Sequence, residues 1–191
     1  MATPAYDPQL TLREGRQRYF DAFGLGEAGY KAKWVTLRKL GPIPVGFPNS
    51  AARVRAVKIH DLHHVLTGYA ADWTGEAEIG AWEVGASCHR HAAAWVLNLL
   101  ALQYGFFIAP RRVLAAMARG RRSETLYRMR DLCESLLDER VGDVRKRLRL
   151  DAPAPAPSFG DAIALTGWMI AGFALWAGPW ALAAGILVAM L

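Results

Sequence analysis

The sequence predicts an all-α protein: a helical bundle domain followed by a C-terminal hydrophobic membrane anchor. Apolar residues recur at helical three- and four-residue spacing through most of the first 150 residues. No turn dipeptide stands between two alternating apolar runs, so strand signals are nearly absent. The last 30 residues, 162–191, contain no charged side chain. At about 1.5 Å per residue, a helix of this length exceeds a hydrocarbon core of about 30 Å.

The N-terminal 50 residues are divided into short segments by glycine and proline. Residues 11–23 and 27–37 have the apolar spacing of two short amphipathic helices. The following run, 41–48, contains three prolines, and proline disfavours helix both at its own position and at the residue before it. We therefore expect two helices and then a rigid extended connector.

Two longer helices are expected in the centre of the chain. Asn49 or Ser50 has the side chain to cap a helix that runs to about residue 69. Asp72 is a good cap for the next helix, which the pattern extends to about residue 104. One stripe of this second helix is small and polar, at Glu76, Gly80, Glu83, Ser87, His91, Ala94 and Asn98. We interpret the stripe as the wall of a pocket, with a solvent-facing stripe as the alternative.

The last part of the helical domain has two further helix signals. Pro110 is suited to start a short helix, and Ser123 to cap a longer one that runs towards Leu148. Residues 151–158 read DAPAPAPS, a Pro/Ala composition that is stiff and extended rather than folded. This linker is expected to end the helical domain, residues 1–150.

The hydrophobic segment, 159–191, is expected to embed in a membrane. A single helix kinked at Pro179 is favoured, and a shallow re-entrant hairpin is the competing arrangement. Basic residues at 145–149 precede the segment, as the positive-inside tendency requires, and the first residues do not form a secretory signal. These features predict a single-pass or re-entrant anchor, with the helical domain in the cytoplasm.

The charge and cysteine content limit the classes of partner. The formal net charge is +6, and a basic domain tethered to a membrane suits anionic lipid headgroups better than nucleic acid. The alternative is that the arginines only keep the domain soluble. Cys88 and Cys133 are the two cysteines, so a disulfide framework is excluded.

The segment His60-Asp61-Leu62-His63-His64 is the part of the chain that best predicts chemistry. On a helix, about 100° of rotation per residue places His60 and His64 roughly 40° apart, with Asp61 on the flank of the pair. Glu76 opens the next helix and can supply a fourth ligand. Two imidazoles and two carboxylates suit a divalent metal such as zinc, so His60, Asp61, His64 and Glu76 are the candidate ligands.

This pattern, HDxxH followed by 11 residues and a glutamate, resembles the signature of the ubiquinone (coenzyme Q) biosynthesis family of the Coq-four type. The likeness extends from about residue 50 to Glu83, and it includes Gly68 and the Gly75-Glu76 pair. Glu83 stands seven residues after the motif glutamate, as in that family. The terminal hydrophobic segment departs from the family's pattern, because familiar members attach to membranes peripherally.

The resemblance implies an all-helical protein that binds a divalent metal, with zinc the expected cofactor. It further implies a membrane-associated role in ubiquinone assembly, in which the protein acts on or presents a polyprenylated quinone precursor. Decarboxylation and hydroxylation of the C1 ring position is the reaction attributed to the family. Glu83 would then be the catalytic residue, either facing the substrate or supporting the ligands from behind. Membrane lipids and other quinone-biosynthesis proteins are the implied partners, and homodimerisation is left open.

Other functions and other candidate residues are compatible with parts of the sequence. The main alternative is a non-catalytic, lipid-binding scaffold of a quinone-biosynthesis complex, in which the metal only clamps two helices. A phosphohydrolase needs a histidine well upstream of His60, and a HExxH metalloprotease needs glutamate where Asp61 stands.

His63 is either a partner behind the ligands or an exposed side chain. His91 shares the polar stripe, and Cys88 is read as an inert thiol.

Overall fold

The structure, a computed structural model, describes residues 7–40 and 43–189. It is mostly helical, with 68% of the residues in helices, and this confirms the predicted all-α class. The helices are α1 Leu12–Phe23, α2 Ala28–Lys31, α3 Ala51–Thr67, α4 Trp73–Ala86, α5 Ala92–Ile108, α6 Pro110–Gly120, α7 Val141–Arg147 and α8 Phe159–Ala189. Two strands, β1 Trp34–Leu40 and β2 Ile43–Pro48, stand between α2 and α3.

The first helix is found where the sequence predicts it. The Thr11 side chain accepts from the backbone N–H of Glu14, and the Glu14 carboxylate accepts from the backbone of Thr11. This capping box fixes the start of α1. Leu12 and Tyr19 are fully buried against the rest of the domain, so α1 covers one side of the core.

The antiparallel hairpin of β1 and β2 corrects the predicted helix over 27–37, and it forms although strand signals are nearly absent from the sequence. The helix stops after Lys31, and the β-branched and aromatic run that begins at Trp34 forms β1 instead. A two-stranded ribbon has only edge strands, which is why it accepts the prolines of β2. A side chain in place of Gly46 would lie 1.8 Å from the Val35 carbonyl, so the close pairing of the strands requires glycine there.

Helix α3 is the central helix, and both of its ends agree with the prediction. The Ser50 side chain accepts from the backbone N–H of Arg53, and Gly68 ends the helix in the left-handed conformation, at φ 80°. Its second half is buried nearly all round, at Ile59, Asp61, Leu62, His63, His64, Val65, Leu66 and Thr67. Polar side chains in this half therefore need partners inside the protein.

The single helix expected from 72 to 104 is two helices in the structure. Asp72 caps α4 as predicted, but the chain turns after Ala86, with positive φ at Ser87 and His89. The turn lets α5 fold back along α4. In one straight helix Asn98 would stand about 22 Å from Glu83, whereas in the fold their side chains are hydrogen bonded. The requirement for this buried contact overrides the helical periodicity.

The helix predicted from Ser123 to Leu148 is also wrong. The chain there forms two short 3-10 segments, Leu126–Arg128 and Glu134–Asp138, before α7. Two backbone N–H groups of the segment are taken by distant partners: that of Leu126 donates to His63 Nε2 at 3.0 Å, and that of Val141 donates to the carbonyl of residue 10 at 2.8 Å. These tertiary hydrogen bonds replace the helical ones, while the apolar side chains remain buried.

Helix α8 is continuous through Pro179, which selects the single helix over the hairpin of the two predicted arrangements. Its Phe159–Trp180 part is long and apolar enough to cross a membrane. The first half nevertheless packs on the helical domain: Trp168 stacks on Trp95 at 4.8 Å, and Gln103 donates to the Met169 carbonyl. The domain boundary at 151–158 stays a prediction.

Candidate metal centre

Three of the four predicted metal ligands converge in the structure. His60 Nε2 lies 3.1 Å from His64 Nε2 and 3.4 Å from Glu76 Oε2. His64 Nε2 lies 3.3 Å from Glu76 Oε1. The two histidines come from successive turns of α3 and the carboxylate from the first turn of α4, as the spacing of the motif predicts.

A tight turn between α3 and α4 brings Glu76 to the histidines. Gly68 ends α3, and the Asp72 side chain caps α4 by accepting from the backbone N–H of Gly75. A side chain in place of Gly75 would lie 2.0 Å from the Ala70 carbonyl oxygen. Glycine at this position therefore allows the first turn of α4 to pack directly on the loop that follows α3.

The hydrogen bonds of both histidines direct their Nε2 atoms into the site. His64 Nδ1 lies 2.9 Å from the Tyr69 carbonyl oxygen, which only accepts, so Nδ1 carries a proton. His60 Nδ1 lies 2.9 Å from Glu83 Oε1 and is held as a donor in the same way. The two Nε2 atoms thus face each other at 3.1 Å. Either one shared proton or a cation must stand between them.

The spacing of these atoms suits a small divalent cation. Zinc binds imidazole nitrogen at about 2.0–2.1 Å in tetrahedral geometry, which places two ligand atoms about 3.3 Å apart. The three distances of the cluster are 3.1, 3.3 and 3.4 Å. The three ligands would leave one tetrahedral position open, as in catalytic zinc sites.

Asp61, the fourth predicted ligand, lies outside the group of three ligand atoms and is hydrogen bonded to another residue. Its carboxylate accepts a hydrogen bond from the Tyr30 hydroxyl, and the group of ligand atoms within 4.8 Å of one another consists of His60, His64 and Glu76. Burial raises the pKa of Asp61, while the nearby charge of His60 opposes that shift. Asp61 therefore flanks the cluster, and its role as a ligand stays a prediction.

Glu83 lies behind the histidines, fully buried. Its Oε1 is 2.9 Å from His60 Nδ1 and 2.7 Å from His63 Nδ1, so both rings donate to one oxygen. Its Oε2 accepts from the Asn98 amide and from the Tyr127 hydroxyl. Four groups therefore donate to this carboxylate. Such contacts are typical of a carboxylate that orients a metal-binding histidine, here His60, and this is one of the two roles predicted for Glu83.

The surrounding side chains include residues that sequence reasoning missed. His63 is completely buried, and its Nε2 accepts from the backbone N–H of Leu126, so of its two predicted environments it occupies the buried one. Tyr127 falls within the helix predicted from Ser123 to Leu148, and nothing in the local pattern links it to Glu83. His91 is tied to the Met129 carbonyl, away from the cluster.

An apolar cavity of about 610 Å³ adjoins the cluster. His60, Asp61 and Glu76 lie in its wall. The rest of the wall is largely apolar and includes Phe20, Val57, Trp73, Leu97, Leu100 and Tyr104. Of the predicted polar stripe, Glu76, Ala94 and Asn98 line this cavity. A ligand with a polar head and an apolar body would fit such a space.

The charges of the cluster predict that metal binding displaces a proton. Burial alone would lower the pKa of His60, but the carboxylates of Glu83 and Glu76 outweigh it and raise that pKa well above its ordinary value. His60 is therefore protonated in the metal-free protein at neutral pH. A metal ligand must be deprotonated.

We expect zinc binding at pH 7 to release about one proton per site. Isothermal titration calorimetry in two buffers of different ionisation enthalpy measures this number directly. A heat of binding that is the same in both buffers would show that no proton leaves, and would contradict the assignment of the proton to His60.

Fold and site together define a helical protein with a His/His/Glu cluster at an apolar cavity and an apolar C-terminal helix. A scan against family models, a search of curated proteins and a search of solved structures each find no match to this chain.

Proposed function

We propose that the protein is a membrane-anchored, divalent-metal-dependent ubiquinone biosynthesis protein that acts on or presents a polyprenylated quinone precursor. The observation that carries the proposal is the convergence of two imidazole Nε2 atoms and a carboxylate at the wall of an apolar cavity. The resemblance of the HDxxH-x11-E motif to the Coq-four family supplies the substrate class. Zinc is the metal expected from the ligand set.

The cavity supports a substrate that is both polar and apolar. Its largely apolar wall, with Trp73 and Leu100, would hold a prenyl chain, and the polar end at His60 and Glu76 would face the ring. The cation would act as a Lewis acid towards ring oxygens, stabilising the negative charge that develops as the bond from C1 to the carboxylate breaks, carbon dioxide leaves and C1 takes up a proton. Zinc does not change redox state, so a hydroxylation step would require an oxidant from elsewhere.

The residues around the cluster would control its geometry. Glu83 fixes the ring of His60, and the Tyr69 carbonyl fixes that of His64, so both Nε2 atoms keep their direction. Asp61 and Tyr30 lie in the cavity wall as a hydrogen-bonded pair, so a carboxylate and a hydroxyl line the space beside the cluster. They are suited to exchange a proton with a bound ring.

The scaffold alternative is favoured by one feature, the position of Asp61 beside the three ligands. If its carboxylate turned from Tyr30 to the cation, the coordination sphere would hold four protein ligands, which is typical of structural sites. A closed site would clamp α3 to α4 and leave the cavity to bind a lipid without changing it.

A genetic complementation experiment tests the proposed function. A strain without the protein is complemented with wild type, with His64→Ala, or with His89→Asn, which changes an exposed histidine. Mass spectrometry of quinone intermediates should show a carboxylated prenyl-phenol building up only with His64→Ala. Normal quinone levels in that variant would contradict a metal-dependent role. Conversion of the intermediate by purified wild type, measured separately, distinguishes the enzyme from the scaffold.

Membrane attachment through α8 gives a further prediction. Beyond Gly172 the helix has exposed apolar side chains, with Phe173 60% and Trp180 71% exposed. We expect the full chain to stay in the membrane fraction after a carbonate wash, and a chain that ends at Gly172 to be released. Retention of the shortened chain would show that another surface holds the membrane. Release of the full chain would contradict a spanning anchor.

A further inference from the structure

One cationic side chain lines the cavity without a full set of partners. Arg53 stands seven residues before His60 on α3, which places both on nearly the same helix face, about 10 Å apart along the axis. Both contribute to the wall of the 610 Å³ cavity. One side of the cavity therefore carries both the Arg53 guanidinium and the cluster of His60, His64 and Glu76.

The hydrogen bonds of Arg53 leave most of its donors unused. Its Nη1 donates to the Asn49 side chain at 2.8 Å, and its guanidinium lies 5.8 Å from the centre of the Phe47 ring. Its Nε is buried and has no acceptor. A guanidinium has five N–H donors, and a buried donor without an acceptor is unfavourable.

Asp61, whose charge acts on Arg53, forms no ion pair with it. The Asp61 carboxylate is hydrogen bonded to Tyr30. Among the residues that the structure describes, no carboxylate oxygen forms an ion pair with Arg53. Arg55, two positions on, shows the contrast, because it points away from the cavity and lies 3.6 Å from Asp131.

We propose that Arg53 binds the anionic oxygen of an amphiphilic ligand whose apolar body occupies the cavity. The inference rests on the proposed function and deepens it, because it makes a negatively charged head group the feature that the protein selects. Arginine binds carboxylates through paired N–H donors, and the surrounding apolar wall strengthens such a bond. The shared chemistry is a carboxylate on a long apolar chain, supplied either by a prenylated benzoate or by a fatty acid.

Matched acid and ester probes test this selection. The full chain is placed in nanodiscs of neutral lipid, without metal and with zinc. Binding is measured for 3-geranyl-4-hydroxybenzoate and its methyl ester, and for oleate and methyl oleate, with empty nanodiscs subtracted. Wild type, Arg53→Gln, Arg53→Lys and Arg55→Gln are compared. The thermal unfolding midpoint of each protein is recorded, to establish that it is folded.

In wild type we expect an acid to bind at least about tenfold tighter than its ester. Arg53→Gln should remove this preference in the metal-free protein, Arg53→Lys should restore part of it, and Arg55→Gln should retain it. An acid-over-ester ratio that survives Arg53→Gln without metal, or that is absent from wild type, would overturn the proposal. A preference restricted to oleate would support the role of Arg53 and contradict the prenylated benzoate as substrate.

Discussion

Replacing His64 with alanine is expected to lower the affinity for zinc by more than about a hundredfold. Loss of a residue that only hydrogen bonds to a metal ligand costs up to about a hundredfold, and His64 is itself a predicted ligand. His64 Nε2 is 3.1 Å from His60 Nε2 and 3.3 Å from Glu76, so its loss leaves two ligand atoms. Equilibrium dialysis followed by elemental analysis measures both the affinity and the stoichiometry. Wild type should take up one zinc ion per chain.

The control for this variant is His89→Asn. His89 is exposed, lies outside the cluster, and has a positive φ of 45°, which asparagine tolerates. It should bind zinc as wild type does. Zinc at a thousandfold excess over the wild-type dissociation constant should also stabilise wild type by about 4 kcal/mol, and stabilise His64→Ala by less than about 1.4 kcal/mol. A wild-type protein that takes up no ion under these conditions would contradict the metal centre itself.

The parts of the site that sequence predicts are those encoded within short stretches. The pair His60 and His64 needs only one helix, and Glu76 needs only a capped helix that begins soon after the first one ends. Ser50, Gly68 and Asp72 supply those boundaries as local signals, and all three occur where the pattern places them. A site of this kind can be predicted from the sequence because its geometry follows from the helical repeat and from the residues that cap the helices.

The supporting shell of the cluster depends on contacts between distant segments. Tyr127 is 44 residues from Glu83, and the backbone N–H of Leu126 is 63 residues from His63. The apolar spacing from Leu126 to Leu148 is compatible with a helix. The buried acceptors of α3 and α4 nevertheless hold the segment in extended and 3-10 conformations, and a pattern of burial does not contain that information.

The turn at 87–91 and the hairpin were likewise not predicted, because the local pattern does not show which segments pair or pack together. Apolar residues keep helical spacing from α4 into α5, and this spacing is the same whether one helix continues or two helices pack together. The hairpin was missed because prolines in β2 argue against a central strand. In a two-stranded ribbon this argument does not apply, since each strand has one unpaired edge.

Glu83→Gln is expected to destabilise the metal-free protein by about 2–4 kcal/mol at neutral pH. The amide keeps the shape of the side chain but replaces one acceptor oxygen with a donor. In the native protein both oxygens accept, from His60 and His63 on one side and from Asn98 and Tyr127 on the other. Urea unfolding followed by circular dichroism measures the loss, and Glu134→Gln, in an exposed ion pair, should cost less than about 1 kcal/mol.

The difference between wild type and Glu83→Gln should depend on pH in a defined direction. Burial alone would raise the pKa of Glu83, but His60 and His63 outweigh it and hold that pKa well below its ordinary value of 4.5. A carboxyl group with a lowered pKa stabilises the fold fully above its unfolded value, and the stabilisation is lost as the pH falls towards the folded value. We therefore expect the gap between the two proteins to be full at pH 7 and to narrow below about pH 4.5.

Zinc affinity shows whether Glu83 also positions His60. Because Glu83 fixes the Nδ1 proton of that ring, the glutamine variant should bind zinc about 10–100-fold more weakly while it remains folded. A side chain that served only the core would change the free energy of unfolding and leave zinc affinity as in wild type. If the folded Glu83→Gln variant loses both free energy of unfolding and zinc affinity, the Glu83 carboxylate both stabilises the core and positions His60 for the cation.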